Sequence, residues 1–256
     1  MRPRFPYAQL REDLTLDPSA VRSWHPRPNT WSCMLSTIRP FAHLPIEHPI
    51  RSVLEMAGAI SHFPRGYVIF TEGDPGDRLY VLQEGTVKVG RTSAAGRPHL
   101  LGLAGPGDMF GELSIFDSGP RTCTATALTQ TRAVSMDHQG LSRWLTDRPE
   151  IADHLLRLLA RRVRSTNSAL AELITDTVYG RVARVLLDLA EQFGRQEDGV
   201  LVVAHGLTQR EIAQLIGAAR KTVNETLLKF ERRGWLQRGQ RSVLILDPDA
   251  LANQAR

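Results

Sequence analysis

Two stretches of the chain carry residue types at spacings that could do chemistry. Gly111-Glu112-Leu113-Ser114 is followed, a turn later, by Pro120-Arg121-Thr122. Glycine lets backbone N–H groups approach a ligand closely. Glutamate accepts from a sugar hydroxyl, and arginine forks two hydrogen bonds onto a phosphate. Together they describe a pocket for a small phosphorylated sugar ring, such as a nucleotide. Further on, Thr208-Gln209-Arg210-Glu211 is a capping box opening a helix whose apolar face is Ile212, Ala213, Leu215 and Ile216. Gly217 supplies a tight turn. A second helix follows, with Val223, Leu227, Leu228 and Phe230 inward and Arg220, Lys221, Asn224 and Lys229 outward. Gly234 ends it, and strands at Trp235–Gln237 and Ser242–Leu246 flank Arg238-Gly239-Gln240-Arg241 as a hairpin wing. A glycine turn between helices, with basic and amide side chains opening the second, is a geometry that reads the DNA major groove. The alternative is an ordinary helical hairpin; the capping box, the polar first turn and the basic wing all favour DNA.

Other segments must position these two. Between His62 and Met136, eleven of the chain's 20 glycines punctuate short β-type runs. The runs are Tyr67–Phe70, Leu79–Leu82, Thr86–Val89, Leu100–Leu103, Thr124–Ala127 and Ala133–Met136. Short strands with regular turn signals indicate a sandwich or barrel. From Pro149 to about Val178 the spacing predicts one long helix. Leu156, Leu159, Val163, Thr166, Leu170, Leu173 and Thr177 form a heptad seam. That seam could pack on its own domain, but the helix length and its basic outer face favour a homodimeric coiled coil. Thr166 and Asn167, at or beside the seam, need hydrogen-bond partners if buried, and a ligand base would be one. Tyr179–Phe193 reads as an amphipathic helix and Val200–Val203 as a strand.

Length and composition fit this plan. A chain of 256 residues suits two domains with a connector. The longest apolar runs fall far short of the ~20 residues of a membrane helix, so no membrane partner is expected. Without a signal-peptide pattern and with only Cys33 and Cys123, the chain reads as cytoplasmic, with no disulfide framework and no metal cluster. A net charge of +5 points weakly to nucleic acid. Residues 1–37 show no sustained periodicity and read either as a disordered extension or as residues preceding a true start at Met34.

The order of these parts, an α+β chain with a β-rich ligand domain, a long helix and a C-terminal winged helix-turn-helix, resembles the Crp/Fnr family of bacterial transcription regulators. Within it, the chain is most similar to the cyclic-AMP receptor proteins of actinobacteria. The carriers are Phe63-Pro64-Arg65-Gly66, Glu72-Gly73-Asp74-Pro75-Gly76-Asp77-Arg78-Leu79-Tyr80, the 111–122 segment, Ala160-Arg161-Arg162, Gly180-Arg181-Val182-Ala183 and the helix-turn-helix. The resemblance runs from about Phe41 to the C-terminus. It implies a jelly-roll-like cyclic-nucleotide-binding β-roll at 38–148, a dimerisation helix at 149–178 and a winged helix-turn-helix at 179–256. It makes 111–122 a phosphate-binding cassette. Gly111, Leu113 and Ser114 would then hold phosphate or ribose, and Glu112 the ribose 2′-hydroxyl. Arg121 and Thr122 would take the cyclic phosphate, and Thr166 with the partner's Asn167 the adenine. Cyclic AMP is the implied effector; Thr122 leaves cyclic GMP open, and a member using another effector, or none, is the alternative. Arg121 paired with Glu112 as a structural ion pair is the competing reading of those two side chains. His99 and His205 lack any haem-ligand motif and read as surface histidines. The implied partners are a second copy of the chain, a palindromic duplex and RNA polymerase. An enzyme is disfavoured, since no nucleophile–base pair or convergent metal ligands are evident.

On the same resemblance the DNA-contact set is Thr208, Gln209 and Arg210, then Ala219, Arg220, Lys221, Thr222, Asn224 and Glu225, with Arg238 and Arg241 in the wing. The family's usual Ser-Arg-Glu-Thr-Val is here Ala219-Arg220-Lys221-Thr222-Val223. Ala219 removes an N-cap, a loss of ~0.5–2 kcal/mol. Lys221 donates where a glutamate would accept from cytosine, while Arg220 keeps a bidentate guanine contact. Glu225 stands where the family has a basic residue and could pair with Lys221 across i,i+4. The expected operator therefore differs from the usual TGTGA half-site, unless Lys221 is only a phosphate clamp.

Overall fold

The computed structural model describes residues 58–197 and 200–255. The expectations for residues 1–37, and the start of the 38–148 zone, lie outside the described residues. The chain divides into two compact units between Thr175 and Asp176.

The first unit is a roll of eight strands in two four-stranded sheets: β1 (Ala59–Phe63), β2 (Val68–Phe70), β3 (Arg78–Glu84), β4 (Val87–Thr92), β5 (Pro98–Ala104), β6 (Met109–Phe110), β7 (Thr124–Ala127) and β8 (Thr131–Asp137). The sheet orders are β1-β8-β3-β6 and β2-β7-β4-β5, and every recorded pairing is antiparallel. All six β-type runs seen in the sequence form strands. β3 reads as a continuous apolar run because both its faces are covered. Tyr80 and Leu82 join Phe70, Val87, Val89, Phe110 and Ala125 in one core. Leu79 and Val81 turn the other way, onto Leu141, Trp144, Ile151, Leu155 and Leu158. Those last side chains belong to helices α2 (His138–Asp147) and α3 (Pro149–Thr175). A single-turn helix α1 (Leu113–Phe116) sits in the cassette.

Helix α3 carries two apolar stripes. Ile151, Leu155 and Leu158, continued by Arg162 and Ser165, are buried against the roll. Leu156, Val163, Leu170 and Leu173, four of the heptad residues, are exposed at 52–67%, while Leu159 is half-buried. The helix ends at Thr175, earlier than the sequence suggests. Thr177, assigned above to the seam, instead caps the next helix by accepting from the Gly180 N–H at 3.2 Å.

The second unit holds α4 (Val178–Phe193), β9 (Gly194–Glu197), β10 (Val200–Val203), α5 (Gln209–Ile216), α6 (Arg220–Arg232), β11 (Leu236–Gly239), β12 (Ser242–Ile245) and α7 (Pro248–Gln254). Its sheet order is β11-β12-β10-β9. The capping box at Thr208 forms in both directions, with Thr208 N–H donating to Glu211 at 2.8 Å and Glu211 N–H to the Thr208 hydroxyl at 3.3 Å. Gly217 closes α5 at φ 68°, a left-handed conformation that costs glycine little and lets α6 start after a short turn. Val223, Leu227 and Phe230 are fully buried beneath α6. No helix among the described residues is long and apolar enough to cross a membrane.

Candidate functional site

The cassette is built around Gly111. Its φ of 76° turns its carbonyl toward Arg121, whose Nη1 donates to it at 2.8 Å. A Cβ at this position would lie 2.8 Å from that nitrogen and would be strained at this φ, so glycine leaves room for the guanidinium. Arg121 is 3% exposed, and its Cζ stacks 4.3 Å from the Phe70 ring centroid. Asp77, on an exposed carboxylate, is 3.6 Å from Nη2. Arg121 Nε has no hydrogen-bond partner among the described residues.

Glu112 does not pair with Arg121. Its buried carboxylate is taken by Arg162 of α3, whose second nitrogen donates to the Met109 carbonyl. The ion pair offered as the competing reading of Glu112 and Arg121 is therefore replaced by a different one. Arg162 was missed as a site residue. The available signal was its place on the stripe 151-155-158-162-165, where a charge is expensive unless paired. One turn on, the Thr166 hydroxyl donates to the Arg162 carbonyl at 2.9 Å. Thr166 and Asn167 are exposed. Of the other cassette residues, Ser114 is buried with its hydroxyl 3.4 Å from the Pro120 carbonyl, while Leu113 and Thr122 are exposed. A cleft of about 550 Å³ beside the cassette is lined by Ser114, Ser118, Asp137 and His138 but not by Glu112 or Arg121.

Burial pushes the Cys123 thiol up to about 11 against the opposing hydrogen bond from Thr122, so it behaves as a small core residue. His205 corrects the surface reading: it is 3% exposed. Desolvation lowers its pKa to about 4, and its neutral Nδ1 accepts from the Leu207 N–H at 3.0 Å, just ahead of the capping box. His99 is exposed, as expected.

The helix-turn-helix presents Arg220, Lys221, Thr222 and Glu225 exposed along the start of α6, with Asn224 half-buried. Ala219 occupies the N-cap with no side-chain bond, so nothing substitutes for the missing hydroxyl. Lys221 and Glu225 form no ion pair among the described residues. Thr208 is absorbed by its capping box, Arg210 is exposed, and Gln209 is half-buried with its Oε1 lacking a partner among the described residues. In the wing the two arginines differ. Arg241 is exposed and held at φ 61°, whereas Arg238 turns inward onto Glu231 and Asn224.

Residues 60–148 match the family described as "Cyclic nucleotide-binding domain", and residues 180–254 the "Crp-like helix-turn-helix domain". A "CRP-like cAMP-activated global transcriptional regulator" of Mycobacterium tuberculosis is 58% identical over 194 residues, covering 76% of this chain and 87% of the relative. The "Cyclic AMP receptor protein" of Thermus thermophilus is 34% identical over 72% of this chain and 82% of its own length. Among solved structures, a CRP/FNR-family transcriptional regulator of Thermus thermophilus superposes with a TM-score of 0.66 at 28% identity, covering 77% of this chain and 98% of that one. With a nucleotide-type cassette on a β-roll and a capped helix pair beside a basic wing, the chain belongs to the Crp/Fnr family of DNA-binding transcription regulators.

Proposed function

We infer that this protein is a homodimeric, cytoplasmic regulator that binds a palindromic operator in response to cyclic AMP and acts on RNA polymerase. One observation carries the effector: Arg121 and Arg162 are both buried, but of the cassette's carboxylates only Glu112 is, and Arg162 holds it. A cyclic phosphate brings one negative charge, which suits the remaining guanidinium. Gly111, Leu113 and Ser114 line the phosphate and ribose side, Thr122 adds a hydroxyl, and Glu112 keeps lone pairs for the ribose 2′-hydroxyl. The Thr166 hydroxyl spends its proton on the Arg162 carbonyl. Only its lone pairs then face a base, which matches the adenine N6 amine and not the guanine O6. Asn167 of the partner subunit completes that contact. The name of the 58%-identical relative, "cAMP-activated", agrees with this reading.

The exposed stripe Leu156, Val163, Leu170 and Leu173 supplies the dimer seam. Glu112, Arg162 and Thr166 form a chain of contacts from the ribose side of the pocket to that seam. Ligand binding would thus bias the helix that sets the spacing of the two reading helices. The β-roll, helix α3 and the unit that follows Thr175 serve as ligand domain, dimer helix and DNA-binding domain. The reading helix, with Lys221 and Glu225 exchanging the usual donor and acceptor pattern, supports an operator altered from TGTGA. Calorimetric titration tests the effector. Cyclic AMP is expected to bind wild type, more weakly or not at all to Arg121→Ala, and better than cyclic GMP. Equal binding of cyclic AMP to wild type and Arg121→Ala would remove the guanidinium from the pocket.

A further inference from the structure

Arg238 lies on β11, outside the helix pair, yet its donors return to α6. Its backbone N–H reaches Glu231 Oε1 at 3.1 Å, and its Nε reaches Oε2 at 3.0 Å. Nη2 lies 2.8 Å from the same Oε2, and Nη1 donates to Asn224 Oδ1 at 2.9 Å. Asn224 and Glu231 are seven residues apart, so they share one face of α6 two turns from each other. One guanidinium therefore spans that face, with its side chain only 24% exposed. Arginine offers donors alone, so the atom of Asn224 that meets it must be the carboxamide oxygen. The amide nitrogen is then the end left to face outward. Asn224 also follows Arg220 by one turn, on the side of the helix that begins with that arginine.

We propose that Arg238 is a positioning residue that fixes Asn224 as a hydrogen-bond donor toward the DNA, so that the wing sets what the reading helix reads. A free asparagine can pair bidentately with adenine, accepting from N6 and donating to N7. With its oxygen engaged by Arg238, Asn224 favours bases that present acceptors, guanine O6 and N7 or thymine O4. Arg220 and Lys221 also donate, so the half-site facing this side of α6 is acceptor-rich, with Glu225 the one carboxylate beside them. Arg238 itself is withdrawn from phosphate binding, unlike the outward Arg241.

The inference rests on α6 being the reading helix, and the test separates the two. Affinities would be measured for duplexes carrying every base at every half-site position, over a range of salt, with wild type, Arg238→Ala, Arg238→Lys, Asn224→Ala and the Arg238→Ala/Asn224→Ala double variant. Arg238→Ala is expected to lose about five- to tenfold discrimination at one base-pair position, with an unchanged salt slope. Asn224→Ala should lose the same position, and the double variant should be no worse than Asn224→Ala. Arg238→Lys keeps a cation beside Glu231 but cannot fork to Asn224, so it should show the same loss; it decides the matter if the alanine variant fails to fold. Uniform weakening on all duplexes with a salt slope lower by about one would make Arg238 a phosphate contact and overturn the proposal, as would intact discrimination. Arg220→Ala is the separate control: if it leaves every position unchanged, α6 is not the reader at all.

Discussion

Buried charge is where single residues decide most in this protein. Arg121 can be kept out of water because Phe70 and the Gly111 carbonyl receive it, and Arg162 because Glu112 does. His205 takes the other course and stays neutral. Its folded-state pKa of about 4 lies below the ordinary value of 6.5, so the unfolded chain binds the proton first. Stability is complete above about pH 6.5 and falls as the pH drops toward 4, by roughly 3 kcal/mol at most. Thermal melts between pH 7 and 4 should show that slope in the C-terminal unit, and His205→Asn, which keeps an acceptor for Leu207, should flatten it. An equal slope in both proteins would assign the acid sensitivity elsewhere. The left-handed turn at Gly111 and the capping box were legible from residue types at short spacing. For Arg162 the stripe signalled a paired charge but not its partner, fifty residues away, and no local pattern marks the burial of His205.

At the level of elements, sequence periodicity located what is amphipathic and lost what is short or doubly covered. The six β-runs and the helix pair were visible. The two-residue strand β6 and helix α2 were not; α2 has Gly140 in its first turn and buries only Leu141 and Trp144 fully. In α3 two apolar stripes overlap. The heptad count found the exposed one, while packing on the roll uses the other. The wing shows a different trade. Arg241 sits at φ 61°, a conformation costing a non-glycine residue about 1 kcal/mol. Arg241→Gly is expected to raise the stability of its unit by up to about 1 kcal/mol. The same change should lower the salt slope of DNA binding by about one. A glycine variant with the full salt slope would show that the strained arginine does not touch the phosphates.

Across the whole molecule, the two units carry the two halves of the function. The roll concentrates its unusual chemistry in buried charges at the cassette, where Arg121 and Arg162 are out of water with one buried cassette carboxylate, Glu112. The C-terminal unit presents α6, the second helix of its helix-turn-helix, whose exposed first turns carry Arg220, Lys221 and Glu225 and whose Asn224 is held by the wing. Overall architecture was readable because capping boxes, turn glycines and strand runs are local signals. Operator preference was only partly readable, since Arg238 and Asn224 are fourteen residues apart and their hydrogen bond exists only in the folded wing. Selection of duplexes from random DNA, with and without cyclic AMP, tests the joint claim most directly. A palindrome enriched only with cyclic AMP, and departing from TGTGA at the positions facing Lys221 and Glu225, is expected. An unmodified TGTGA palindrome, or the same enrichment without the nucleotide, would contradict it.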